Sequence, residues 1–174
     1  RRPLSERVLG VQSAGSTTCP SLITPIYTAQ MSKHHAKAIW SGSVPTGKGT
    51  LQLGKSGPSV PYNLKARIEE EAGTNPEQML GAALAGCFSM SVANLIEEGG
   101  QSMDGIKIDT TAVVTLAHTD EGFRINKIEL VTTGTVPGMT AATFAQLAQQ
   151  AKDTCPVALL YASANIFLET ALAS

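Results

Sequence analysis

The sequence predicts an α+β fold with the element order βββαββααβ. Short strand-like segments precede one long apolar helical run, and a regular apolar alternation follows that run. Turn residues then separate strands from helices in blocks, which argues against a doubly wound parallel sheet.

The elements follow in order. Residues 1–30 stand apart, because Ser, Thr, Pro and Arg dominate there and no apolar period runs through them. Their basic start (Arg1, Arg2, Arg7) lacks the continuous apolar stretch of a secretory signal. They read as a leader, a fusion scar or an appended arm, with Met31 the expected native start, residues 31–174 a single domain and Cys19 outside the chemistry. A first strand is expected over 34–41, around Ile39 and Trp40. The Gly- and Pro-containing stretch 41–49 then turns the chain into a second strand over 50–53. After Gly57 and Pro58 a third strand is expected over 62–66, ending at Arg67 and the acidic run Glu69, Glu70, Glu71.

Thr74, Asn75, Pro76 and Glu77 together signal a helix start: a polar cap, a proline in the first turn, and an acid near the positive end of the helix. The helix should run to Glu98 and stop at Gly99 and Gly100. From Met79 to Ile96 small and apolar residues occupy nearly every face, so this helix has no broad polar side and must be covered. Ile106, Ile108, Thr110, Ala112, Val114 and Leu116 alternate over 106–118, and an antiparallel partner is expected over 123–135 beyond the turn at Asp120, Glu121 and Gly122. Phe144, Leu147, Ala148 and Ala151 mark a helix over 140–152. Cys155 and Pro156 open a short helix, and 165–172 closes the chain as a strand.

With 174 residues, 43% hydrophobic and 16% charged, the chain reads as one soluble domain. A net charge of −1 and 5% aromatic residues give no footprint for nucleic acid. Gly, Ser, Thr and charges interrupt every apolar run before about 18 residues, so no membrane partner is expected. Three cysteines are too few for a secreted disulfide framework, and a reducing cytoplasm with a transient disulfide fits them better. Neither CxxC nor HExxH is present, so no metal site is expected, and His34, His35 and His118 read as strand residues. Without a GxGxxG, Walker-type or GxSxG segment, flavin, nicotinamide and serine-hydrolase readings have no support, and no cofactor is expected.

The candidate chemistry rests on Cys87, midway along the apolar helix, and Cys155, directly before Pro156. Each has a plainer reading, Cys87 as a small buried hydrophobe and Cys155 as a structural cap. Cys87 lies too far along its helix for the macrodipole to activate it, so a nucleophilic Cys87 needs a neighbouring cation. Arg67 is the nominee, with a surface pairing to Glu69, Glu70 or Glu71 as its alternative. Glu77 can orient that guanidinium or merely complement the helix dipole. Ten residues of helix, about 15 Å, separate Glu77 from Cys87, so a bridging Arg67, a helix bend or a second chain is required. By position alone Cys155, at a helix start, is the more acidic thiol.

The stretch from Arg67 through Gly73, Thr74, Asn75, Pro76, Glu77, Gln78 and Met79 to Gly86, Cys87 and Phe88, with Cys155, Pro156 and Val157, resembles the osmotically inducible protein C family of peroxidases. The resemblance covers residues 31–174, and the place of Arg67 favours the osmotically inducible branch over the organic hydroperoxide resistance branch. It implies an intertwined homodimer, with antiparallel sheets wrapped around two long central helices and a site at the subunit interface. It also implies Cys87 as the peroxidatic thiol, against the dipole argument, Cys155 as the resolving thiol joined to it in a disulfide, and Arg67 and Glu77 as activators. The substrate would be an organic hydroperoxide, with hydrogen peroxide weaker, and the reductant an external dithiol of lipoyl type. Met79, Leu80, Leu84 and Phe88 are candidates to line an alkyl pocket, although plain core is the commoner role for such residues. The rival functions are a thiol-disulfide reductase or isomerase, and a dimeric stress or ligand-binding protein with inert cysteines.

Overall fold

Three strands, β1 (Ala36–Ser41), β2 (Lys48–Leu53) and β3 (Ser59–Tyr62), pair antiparallel in that order to make a first sheet. The computed structural model that shows this describes residues 31–69 and 73–173. The expectations for residues 1–30 and Cys19 lie outside the described residues, as do Glu70 and Glu71. Trp40 lies opposite Gly49 on β2, and Gly49 lies opposite Tyr62 on β3. A Cβ at Gly49 would come within 2.3 Å of the Tyr62 ring, so glycine there lets the Trp40 and Tyr62 rings meet, with centroids 5.2 Å apart. No residue of these strands is buried.

The third strand lies earlier than expected, since the chain leaves it at Tyr62 and coils into α1 (Lys65–Ile68). Asn63 causes the change: its Oδ1 accepts the Ala66 amide at 2.7 Å, a local bond that favours a turn over an extended chain. Arg67 therefore sits on a helical turn, not at a strand end.

Helix α2 (Pro76–Glu98) has the predicted bounds. Asn75 Oδ1 accepts the Gln78 amide at 2.8 Å while Gln78 Oε1 accepts the Asn75 amide at 3.3 Å, a reciprocal cap. Glu77, Gly81, Leu84, Phe88, Val92 and Ile96 form its one buried row. Ala82, Ala83 and Gly86 are exposed on another face, and Met90 there is 76% exposed. With a mean hydropathy of 1.7, this helix is long and apolar enough by composition to cross a membrane, which corrects the expectation that no segment approaches that measure. Its buried row is that of a core helix packed on one side.

The second sheet begins with β4 (Lys107–Thr119) and β5 (Gly122–Thr135), antiparallel as predicted, with an irregularity between Thr115 and Leu116. Then α3 (Ala141–Thr154) and α4 (Pro156–Leu160) carry the chain back, and β6 (Asn165–Ala173) lies parallel to β5. The sheet is thus mixed, not purely antiparallel. A crossover made of helices returns the chain to the end where β5 began, so the next strand must run the same way.

Leu84, Phe88, Val92 and Ile96 of α2 meet Ile128 and Leu130 of β5 and Phe144, Ala148 and Ala151 of α3 in one core. Each large side chain contributes roughly 1.5–3 kcal/mol by burial. A Cβ on Gly134 would come within 2.4 Å of the Phe144 ring, so this glycine lets α3 lie close on the sheet. Beneath α2, Ser89 Oγ donates to Thr110 Oγ1 at 2.8 Å, and Thr110 Oγ1 lies 2.9 Å from the fully buried Thr132 Oγ1. These hydroxyls satisfy one another and fix the rotation of α2 over β4 and β5.

Candidate active site

Packing of α3 on α2 brings the end of α3 beside the middle of α2. Cys155 closes α3, where its amide bonds to Ala151 O at 2.8 Å, and it also precedes Pro156 at the start of α4. Its Sγ lies 3.0 Å from Cys87 Sγ, and both thiols are free. Cys155 is fully buried, whereas Cys87, on the flank of the buried row of α2, is only half-buried.

Burial pushes the Cys87 thiol above its ordinary range. The hydrogen bond and charge of Cys155 act in the same direction, and a hydrogen bond from the Val157 amide opposes them. That amide belongs to the first turn of α4, where Pro156 has none to offer. The expectation that the start of α4 serves Cys155 is therefore corrected by geometry. The Cys155 side chain makes no capping bond there. Val157 had no signature in the sequence, because a backbone donor becomes visible only when two helices are placed together.

The second cluster is Arg67 with Glu77. Arg67 Nε donates to both carboxylate oxygens at 3.1 Å, and Nη2 donates to Oε1 at 2.6 Å. The Glu77 side chain is 10% exposed and the Arg67 side chain 35%, so the carboxylate is the anchor and the guanidinium reaches outward. Arg67 borders an apolar hollow of about 240 Å³ lined by Trp40, Val44, Tyr62, Leu64 and Pro76. It also borders a larger, more polar hollow of about 640 Å³ against Glu77, Gln78 and β4. Trp40, Val44 and Tyr62 are not candidates by sequence, since the two rings meet only through the pairing of β1 and β3 on either side of β2.

Within one chain the structure joins thiol to thiol and arginine to carboxylate, but about 15 Å of α2 separates the two clusters. Of the four candidate pocket residues, Leu84 and Phe88 are fully buried core. Met79 is half-buried. Leu80 lines a hollow of about 150 Å³ with Ile125, Ile128, Leu160 and Tyr161. Among the described residues no group of His, Cys, Asp and Glu could hold a metal ion. His118 instead packs on Phe123, ring centroids 4.9 Å apart.

Residues 69–170 match the family model described as OsmC-like protein. The chain is 45% identical over 123 residues to the Peroxiredoxin OsmC of Escherichia coli, covering 70% of this chain and 84% of that protein. The Peroxiredoxin OsmC of Shigella flexneri matches to the same extent, 45% over 123 residues. Among solved structures, an organic hydroperoxide resistance protein OsmC from Legionella pneumophila superimposes with a TM-score of 0.62 at 20% identity, covering 83% of this chain and 99% of that one. The organic hydroperoxide resistance protein OhrB of Bacillus subtilis gives a TM-score of 0.59 at 22% identity, covering 80% and 98%. At these identities the structural matches speak for the fold.

Proposed function

The chain belongs to the OsmC-like protein family, and from that premise we propose that it is a cysteine-based peroxidase that reduces organic hydroperoxides and, more weakly, hydrogen peroxide. The observation that carries this reading is the 3.0 Å approach of a half-buried thiol to a fully buried one. Cys87, as thiolate, attacks the distal peroxide oxygen. The O–O bond breaks, the alcohol departs with a proton, and Cys87 becomes a sulfenic acid. Cys155 then attacks that sulfur, a disulfide forms and water leaves. An external dithiol, of lipoyl type by family resemblance, restores both thiols. No cofactor enters these steps.

The active unit in this proposal is a homodimer. Burial holds the Cys87 thiol high, and the Val157 amide alone only partly opposes it, so a cation is needed at Cys87. Arg67, held by Glu77, supplies it from a second copy, which removes the 15 Å obstacle within one chain. Three features support the second copy. One face of α2 is uncovered, and the first sheet buries nothing. Charge is also uneven: Lys37, Lys48, Lys55, Lys65 and Arg67 oppose only Glu69 over 35–69, whereas 73–173 is acidic. The apolar hollow beside Arg67 suits an alkyl or aryl hydroperoxide, and Met79 and Leu80 remain candidates to line the assembled pocket. We assign residues 31–174 to this peroxidase domain and a cytoplasmic setting to the protein.

The test is peptide mass spectrometry of the reduced protein after one equivalent of an organic hydroperoxide, followed by turnover with a dithiol. A Cys87–Cys155 disulfide and faster turnover of the organic peroxide are expected. Persistence of both thiols beside unreacted peroxide would remove the catalytic reading, and equal rates with hydrogen peroxide would remove the preference.

A further inference from the structure

The peroxidase reading leaves open which sulfur the reductant attacks, and the burial of the two cysteines answers that question. Resting on that reading, we infer that the external dithiol attacks Cys87 and that Cys155 is the leaving group. Access to the disulfide is one-sided. Cys155 is wholly enclosed where α3 meets α4, and it belongs to the same core as Phe144, Ala148, Ala151 and Ala158. Cys87 retains solvent exposure from the flank of α2, and it is also the sulfur that a peroxide must reach. Thiol–disulfide exchange requires the incoming thiolate to approach along the S–S axis, from behind the sulfur it attacks. Cys155 offers no exposed surface to an incoming thiolate, whereas Cys87 does.

The steps balance. A thiolate of the dithiol bonds to Cys87 Sγ, the S–S bond breaks, and its electron pair leaves on Cys155, which takes up a proton. The second thiol of the reductant, deprotonated, then displaces Cys87 and closes a cyclic disulfide. The dithiol loses two electrons and the protein disulfide gains them. Cys155 never carries the reductant, so it needs no path to solvent at any stage.

The test uses the full chain in a Cys19→Ser background, with the disulfide made by diamide so that it does not depend on peroxide chemistry. A monothiol probe, 2-mercaptoethanol, cannot cyclise, so at short times it marks the sulfur that it attacks first. Acid quench at successive short times, alkylation of the freed thiol and peptide mass spectrometry locate it. The mixed disulfide is expected on Cys87 and the alkyl label on Cys155, with an initial excess of about tenfold or more over the reverse pattern. Adduct on Cys155, an even split, or failure of diamide to join the pair would overturn the inference. A disulfide that forms with diamide and opens at Cys87, yet does not form with organic hydroperoxide, would leave the reduction chemistry standing and sink only the peroxidase reading.

Discussion

The two sheets of this chain are built from similar strands and reach opposite ends. The β4–β6 sheet lies against α2 and α3 and closes a core around Phe88, Ile128, Leu130 and Phe144. The β1–β3 sheet pairs its strands as well, yet buries no residue and leaves Ile39 51% and Leu53 45% exposed. Apolar residues in a strand therefore do not by themselves show that the chain buries them. The difference bears on chemistry, since both thiols lie in the self-sufficient part while Arg67 follows the part that is not. In the proposed enzyme, the division between the sheets is also the division between the nucleophile and its activating cation.

The largest test asks whether the chemistry lies wholly where the core is. Cys87→Ser should lower peroxide turnover by about three orders of magnitude or more, since a serine hydroxyl stays protonated and is a far poorer nucleophile. Its far-ultraviolet circular dichroism and unfolding midpoint should stay close to those of the parent. Residual turnover within tenfold of the parent would place the reacting group elsewhere.

Next in size is the contrast in stability. Phe144→Ala should cost about 3–5 kcal/mol in urea unfolding, because the ring fills the space that Gly134 leaves. Ile39→Ser should cost under about 1 kcal/mol in the monomer, being a surface change, and should act instead on assembly. Sedimentation velocity across a dilution series would show a shift toward monomer. A loss of unfolding stability as large as that of Phe144→Ala would mean that the chain itself buries the first sheet.

Arg67→Met addresses the division between nucleophile and cation. If Arg67 from a second copy faces Cys87, removing it should raise the Cys87 pKa further. The sign follows from the thiolate being the reactive form. At neutral pH its fraction falls about tenfold per unit, so iodoacetamide alkylation of Cys87 should slow and then recover as pH rises. An alkylation profile identical to that of the parent would separate Arg67 from the thiol. Glu77→Gln should shift the profile the same way but less, because it loosens the guanidinium without removing the charge.

The sequence made some of this division legible. Asn75, Pro76 and the Gly99–Gly100 pair delimited α2 because capping and breaking are local events. The alternation over 106–118 marked β4 because one of its faces is half-buried and the other exposed. The direction of β6 was not legible, since no strand records locally whether its neighbour runs parallel. Likewise the expected strand over 62–66 overlaps α1, because one side-chain bond from Asn63 decides the turn. Both cysteines, Arg67 and Glu77 were found as residue types. The Val157 amide was not, for it contributes no side chain to read.

Asn75 gives the smallest and most discriminating test, because one side chain serves both regions. Its Oδ1 caps α2, and its Nδ2 donates to Ala66 O at 2.8 Å, tying the α1 turn that carries Arg67 to the helix that carries Cys87. Asn75→Ala removes both bonds and should cost about 1 kcal/mol in thermal unfolding, the usual loss for an N-cap. Asn75→Asp keeps the capping oxygen but turns an acceptor toward the Ala66 carbonyl. It should recover most of the helix stability while leaving Arg67 less firmly held. If the Asp variant restores the unfolding midpoint but not the alkylation profile of Cys87, the tie between the regions is a catalytic requirement separable from folding. If it restores both, Asn75 acts through the helix alone.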